Sequence, residues 1–301
     1  MTDTRVDQHD SVRRENRYMS SRTAGLLEWA RTIRLDILEM TYGVGPERKA
    51  HPGGALSAVE MVTALYFDIM RINPNSPQWP DRDRFILSKG HACPVLYAAL
   101  ANRGYFDKGL YSTLRRIDGN LQGHPDMRKT PGVDMTTGSL GHGLAAGAGV
   151  AASGKIDKKS FQVFVLLGDG EVQEGLVWES AMAIPRLGLD NITALVDINR
   201  LQSGGAVENI LSLSPLREKW MSFGWNVIEI DGHNMRDVLS ALDLAVHTKG
   251  VPTVILAKTV KGKGVEFMEN DNSWHQKTPS DEQYQQAIAQ LKSGLNGGGS
   301  V

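Results

Sequence analysis

The chain has 301 residues, 41% hydrophobic and 22% charged, which is the ordinary balance of a soluble globular protein. Its 33 basic and 34 acidic side chains leave a formal net charge of -1, which speaks against a nucleic-acid or membrane-surface partner. No run of eighteen apolar residues occurs, and a single cysteine, Cys93, excludes an internal disulfide and a thiolate-only zinc cluster, so a reducing, cytoplasmic setting is expected.

Residues 1–20 mix both charge signs without an apolar core and read as a polar N-terminal arm rather than a secretory signal. Helical periodicity follows over 24–41, where Leu27, Ile33, Ile37 and Leu38 fall near one face, and again over 56–70. The apolar run 161–167 predicts a strand, 174–187 a helix, 192–198 and 225–230 strands, 236–247 a helix and 252–259 a strand. These strands are hydrophobic without alternation, as strands covered on both faces are. The rhythm predicts an α/β fold with a doubly wound, mostly parallel sheet and helices on both faces. Ligands of such sheets bind beyond the carboxyl ends of the strands. One domain over 21–293 is the simplest parse, with 294–301 (GLNGGGSV) a flexible tail.

Gly168-Asp169-Gly170 follows the expected strand 161–167 and precedes a helix, so Asp169 lies at a strand's carboxyl end. Asn199 ends the next strand, and a right-handed crossover sets consecutive parallel strands side by side or nearly so. Taken alone, the triplet fits a strand-to-helix turn with a capping aspartate equally well. With Asn199 in phase, a carboxylate and an amide oxygen can reach one ion, and such hard oxygen donors suit Mg²⁺ with a diphosphate.

Gly-Asp-Gly followed after 28 residues by Asn199 resembles the thiamine-diphosphate fingerprint, and LLGDGEVQEGLVWESAMAIPRLGLDNITALVDINRLQ resembles the transketolase family. The resemblance implies a thiamine-diphosphate-binding fold of the kind that holds the diphosphate. It implies Mg²⁺, with Ca²⁺ or Mn²⁺ able to substitute, on Asp169, Asn199 and the main-chain carbonyl of Leu201. Gly168 and Gly170 would meet the diphosphate, and Glu174 would lie beside the cofactor at a contact between subunits.

Five histidines stand in short turns: His51 in HPGG, His91 in SKGHA, His124 in GHPD, His142 in LGHG and His275 in SWHQ. None has zinc-site spacing. Neutral imidazoles both donate and accept, so a cluster of them suits a sugar and proton transfer near neutral pH. HPGG, LSKGHA, QGHPD and TTGSLGHG occur in the order of the transketolase motifs. By that resemblance His91 would contact the diphosphate and His124 the C1 hydroxyl and carbonyl region of the donor. His51 and His275 would flank the reacting carbon and move protons, and Gly138 and Leu140 would touch the aminopyrimidine side. His142 stands where the family usually has glutamine, which leaves its role open. His9, His233 and His247 are expected to be structural or exposed.

The resemblance covers roughly 24–278 and corresponds to the N-terminal portion of a full-length transketolase. The glutamate that activates thiamine belongs in that family to a second, pyrimidine-binding domain, for which no segment here matches. The expectation is the first subunit of a split transketolase, catalytically incomplete alone. It would transfer a two-carbon ketol unit between sugar phosphates in an α₂β₂ assembly with a second subunit. The alternatives are the same architecture acting on a sulfosugar or branched-sugar phosphate, the α subunit of a 2-oxoacid dehydrogenase, a 1-deoxyxylulose-5-phosphate synthase fragment, and a non-catalytic diphosphate-binding regulatory domain.

Overall fold

In the computed structural model, which describes residues 4–293, the apolar runs become strands of one five-stranded parallel sheet. In chain order the strands are β1 (Arg84–Leu87), β2 (Val163–Gly168), β3 (Ile192–Ile198), the short hairpin β4 (Leu201–Gln202) and β5 (Gly205–Ala206), β6 (Asn226–Asp231) and β7 (Thr253–Lys258). The main sheet has the order β1-β2-β3-β7-β6. The helices are α1 (Thr4–Gly43), α2 (Pro52–Leu56), α3 (Val59–Ala64), α4 (Cys93–Asn102), α5 (His142–Ile156), α6 (Gly175–Arg186), α7 (Val207–Ile210), α8 (Leu216–Ser222), α9 (Met235–His247) and α10 (Asp281–Ser293).

Successive side chains of a strand point to opposite faces, and β2 shows the consequence. Phe164 and Leu166 join one buried cluster with Ile33 of α1, Tyr97 of α4 and Leu242 of α9. Val163, Val165 and Leu167 join a second with Leu144 of α5, Ala181 and Ile184 of α6, and Trp220 of α8. Each face of the sheet has its own core, so no position on the central strands can be polar without cost. That is why those strands read as unbroken apolar runs.

The expected helix 24–41 lies inside α1, which extends back to Thr4 and so takes in most of the segment expected as an arm. The expected helix 56–70 is divided: α2 and α3 are followed by a wide π-type turn over Leu65–Ile69. At the break, between α2 and α3, the Ser57 hydroxyl donates to the buried Asp197 at 2.6 Å. α6 and α9 match the helices expected at 174–187 and 236–247. The expected tail 294–301 lies outside the described residues. Among those residues no helix is long and apolar enough to cross a membrane.

Candidate functional site

Adjacent parallel strands finish together, so the segments leaving them share one edge. Gly168 of β2 is level with Asp197 of β3, and Ile198 of β3 with Lys258 of β7. Leaving the sheet there are Ser88-Lys89-Gly90-His91, Asp169-Gly170, Asn199 and Thr259-Val260-Lys261. His91, Leu140, Gly168, Asp169, Gly170, Glu174, Asn199, Leu201 and His275 all line one cleft of about 210 Å³. His51 lines an adjoining crevice with His91. The His124 ring lies against Gly138, where a Cβ would stand 3.2 Å from it, and 6.4 Å from His51 between ring centroids. The structure therefore brings together every site residue expected from the sequence. His142 begins α5 and is exposed, with its Nδ1 donating to the carbonyl of Leu140 at 3.3 Å.

Asp169 is 4% exposed. Its Oδ1 accepts from the Gly170 N–H at 2.8 Å and its Oδ2 from the Arg200 N–H at 2.5 Å. Burial, with the nearby Asp197 carboxylate, pushes its pKa up to about 6. A cation bound there would relieve both effects. Asn199 donates from Nδ2 to Asp197 at 3.1 Å, which turns its amide oxygen to the Leu201 side, where it accepts the Leu201 N–H at 3.1 Å. Asp169, Asn199 and Leu201 offer oxygens of the hard kind that Mg²⁺ takes, on the lining of one cleft. Among the described residues no three His, Cys, Asp or Glu groups are placed as a metal cluster, so a metal here would rely on that mixed set and on ligand oxygens.

Two buried lysines stand behind these oxygens. Lys89 is paired: its ammonium meets the fully buried Asp197 carboxylate and donates to the Gly54 carbonyl at 2.7 Å. Lys261 is 1% exposed and among the described residues has no carboxylate partner. Its Nζ donates to the Leu201 carbonyl at 2.9 Å and to His275 Nδ1 at 3.0 Å. Burial, then Lys89, lowers its pKa to about 8. A buried cation without a counter-ion is costly, and an anion in the cleft would remove that cost. The cleft thus fits both groups, a divalent cation at Asp169 and an anion at Lys261.

Four imidazoles cluster at its mouth, with His51 5.3 Å from His91 and 5.4 Å from His275, and His91 5.2 Å from His275. Burial, followed by the charges of His275, Arg115, His124 and Lys261, lowers His51 to about 3. Burial and the two lysines lower His275 to about 4. His91 is pushed well below the ordinary imidazole range by burial and Lys89, and His124 is lowered by partial burial and Arg115. All four rings are neutral at pH 7. Because His275 Nδ1 accepts from an ammonium, its proton sits on Nε2, leaving an N–H free to donate.

Sequence reasoning passed over Lys89, Lys261, Asp197, Arg115 and Glu171. Glu171 binds the N–H groups of Gly141 at 2.9 Å and Gly168 at 3.0 Å, tying the TTGSLG turn to the Gly-Asp-Gly turn. Arg115, in left-handed backbone at φ 59°, lies against Gly123. A lysine between glycine-rich turns, as in SKGH and VKGKG, was the available signal.

Residues 27–296 match the model of the transketolase thiamine-diphosphate-binding domain. The 6-deoxy-6-sulfo-D-fructose transketolase subunit SqwG of Clostridium sp. (strain MSTE9) is 43% identical over 274 residues, covering 91% of this chain and 98% of its own. One of the subunits of the apulose-4-phosphate transketolase of Phocaeicola vulgatus is 40% identical, covering 86% and 90%. Human transketolase is 38% identical over 269 residues, of which the chain spans 42%. Among solved structures, transketolase from Leishmania mexicana superposes with a TM-score of 0.83 at 27% identity, covering 89% of this chain and 41% of that one.

Proposed function

This chain belongs to the transketolase family through its thiamine-diphosphate-binding domain, and from that premise we propose that it is the first subunit of a two-chain ketol transferase. It is a transketolase-type transferase component, and two relatives that it matches over nearly their full length are named as subunits. The observation that carries the reading is the meeting, in one cleft, of a buried lysine without a carboxylate partner, three hard oxygen donors and the imidazoles of His91 and His275, with His51 and His124 beside them.

Asp169, Asn199 and the Leu201 carbonyl would hold Mg²⁺, and Lys261, His91, Gly168 and Gly170 would surround the diphosphate. Leu140 and Gly138 would border the aminopyrimidine, with Glu174 at the contact with a second chain. Bound there, thiamine diphosphate supplies the carbon nucleophile for breaking and making the bond beside a ketose carbonyl. The protein's share is to orient and to move protons. His124 would hold the C1 hydroxyl of the two-carbon unit. His275, with its proton on Nε2, would donate to the oxygen that begins as an aldehyde carbonyl, and His51 would accept from the hydroxyl that becomes one.

The second subunit would carry the pyrimidine-binding domain and the remaining catalytic groups in a cytoplasmic α₂β₂ assembly. The substrates would be anionic sugars; the names of the sulfofructose and apulose-phosphate relatives favour a specialised donor over the common pentose phosphates. Reconstitution tests this reading: the chain alone should show no ketol transfer, and addition of its co-purified partner with thiamine diphosphate and Mg²⁺ should restore it. Full activity of the single chain would refute the two-chain reading.

A further inference from the structure

His233 lies outside the cleft, in the turn after β6, yet its two ring nitrogens are both committed. Nε2 accepts the N–H of Val260 at 2.8 Å. A nitrogen that accepts an amide N–H carries no proton, so the ring's proton is on Nδ1. Nδ1 donates to Oε2 of Glu60 at 3.0 Å. The other oxygen of Glu60 accepts from Arg34 Nη2 at 2.6 Å, and Arg34 Nε donates to the carbonyl of Lys263 at 3.1 Å. Glu60 and Arg34 are buried.

These bonds converge on the segment Val260–Lys263 that follows β7. Further attachments are the Gly262 N–H, which donates to the Gly53 carbonyl at 3.0 Å, and the Lys261 carbonyl, which accepts the Asn270 N–H at 3.0 Å. Lys261 lies between the attachment points, its stem against Gly53 and its ammonium on Leu201 and His275. Lys261 is too long and flexible to hold a position unaided, and both sides of its backbone are fixed by this network.

We propose that His233 is a positioning residue for the reaction: through Val260 it sets where Lys261 stands, and through Lys261 the place of the diphosphate and the tautomer of His275. The inference rests on the reading of Lys261 as a diphosphate contact. A purely architectural role fits less well. His233 and Val260 also line an open surface basin of about 660 Å³, so water can reach the Val260 N–H when the ring is removed. What water cannot replace is the fixed placement of Val260.

The experiment uses the full chain in complex with its second subunit, with thiamine-diphosphate affinity in Mg²⁺ followed by near-UV circular dichroism. His233→Ala should weaken cofactor binding about tenfold, with a small change in the melting temperature of the cofactor-free chain. His233→Gln, whose side-chain carbonyl can accept the Val260 N–H, should return affinity to within about twofold of the parent. Combining His233→Ala with Lys261→Ala should weaken binding no further than Lys261→Ala alone, since both act through one contact. Loss of affinity in Lys261→Ala with none in His233→Ala would overturn the positioning role alone. Unchanged affinity in Lys261→Ala would instead overturn the assignment of Lys261 beneath it. The ¹⁵N spectrum of the unsubstituted chain gives a check independent of any variant: His233 should carry its proton on Nδ1, and a proton on Nε2 would refute the inference.

Discussion

Lys89 and Lys261 lie near the imidazole cluster, and their charge opposes proton uptake by His91 and His275. His51 at about 3 and His275 at about 4 bind protons far more weakly in the folded chain than at the ordinary value of 6.5. As pH falls below about 6.5 the unfolded chain takes up protons that these rings refuse, so their contribution lowers stability down to about pH 4. Asp169 acts in the opposite sense, since its pKa of about 6 lies above 3.8, and it adds stability as pH falls between those values. Two rings outweigh one carboxyl of similar shift. The urea midpoint of the cofactor-free chain should therefore be lower at about pH 5 than at about pH 7; a higher one would contradict the buried, neutral cluster. His275→Ala should slow turnover about 100-fold or more while cofactor affinity stays within several-fold. Kinetics with a parallel cofactor titration checks this, and a large loss of affinity would move His275 out of proton transfer. The histidines and the Gly-Asp-Gly turn were legible in the sequence because each sits in a short, unusual motif. Lys261 was passed over, because a lysine is ordinarily a surface residue and its burial is visible only in the folded chain.

At the level of elements, sequence pattern succeeded where both faces of a segment are apolar, as in β2, β3 and β7. It missed β1, whose four residues are too few to show a pattern between Arg84 and Lys89. It also passed over α5, where the glycine- and alanine-rich HGLAAGAGVAASGKI shows no apolar stripe. The glycines serve contact with the sheet rather than flexibility. A Cβ on Gly147 would stand 2.7 Å from Val165, and one on Gly154 2.7 Å from Phe161, whereas Gly149 faces open space. This gives opposite signs for the same substitution. Gly147→Ala should destabilise the chain by about 1–3 kcal/mol through overpacking. Gly149→Ala should stabilise it by roughly 0.5–1 kcal/mol through helix propensity. Urea denaturation of both variants tests the point, and a shift of the same sign in each would show that α5 does not pack by its glycines.

For the whole molecule, the meaning of the cleft depends on what the chain covers. It spans 98% of one relative named as a subunit but 42% of human transketolase, in which the same domain is part of a longer polypeptide. Fold class was readable from the alternation of strands and helices, and the two cores explain why. The placement of charge was not, because Lys89–Asp197 and Glu60–His233 join residues more than a hundred positions apart. The proposed function requires that Asp169 and its neighbours bind thiamine diphosphate through Mg²⁺. It is tested most directly by titrating the cofactor into the chain with its partner and recording near-UV circular dichroism, with and without Mg²⁺. A saturable cofactor signal should appear that requires Mg²⁺ and disappears in Asp169→Ala. No signal in the complex, or an unchanged one in Asp169→Ala, would contradict it.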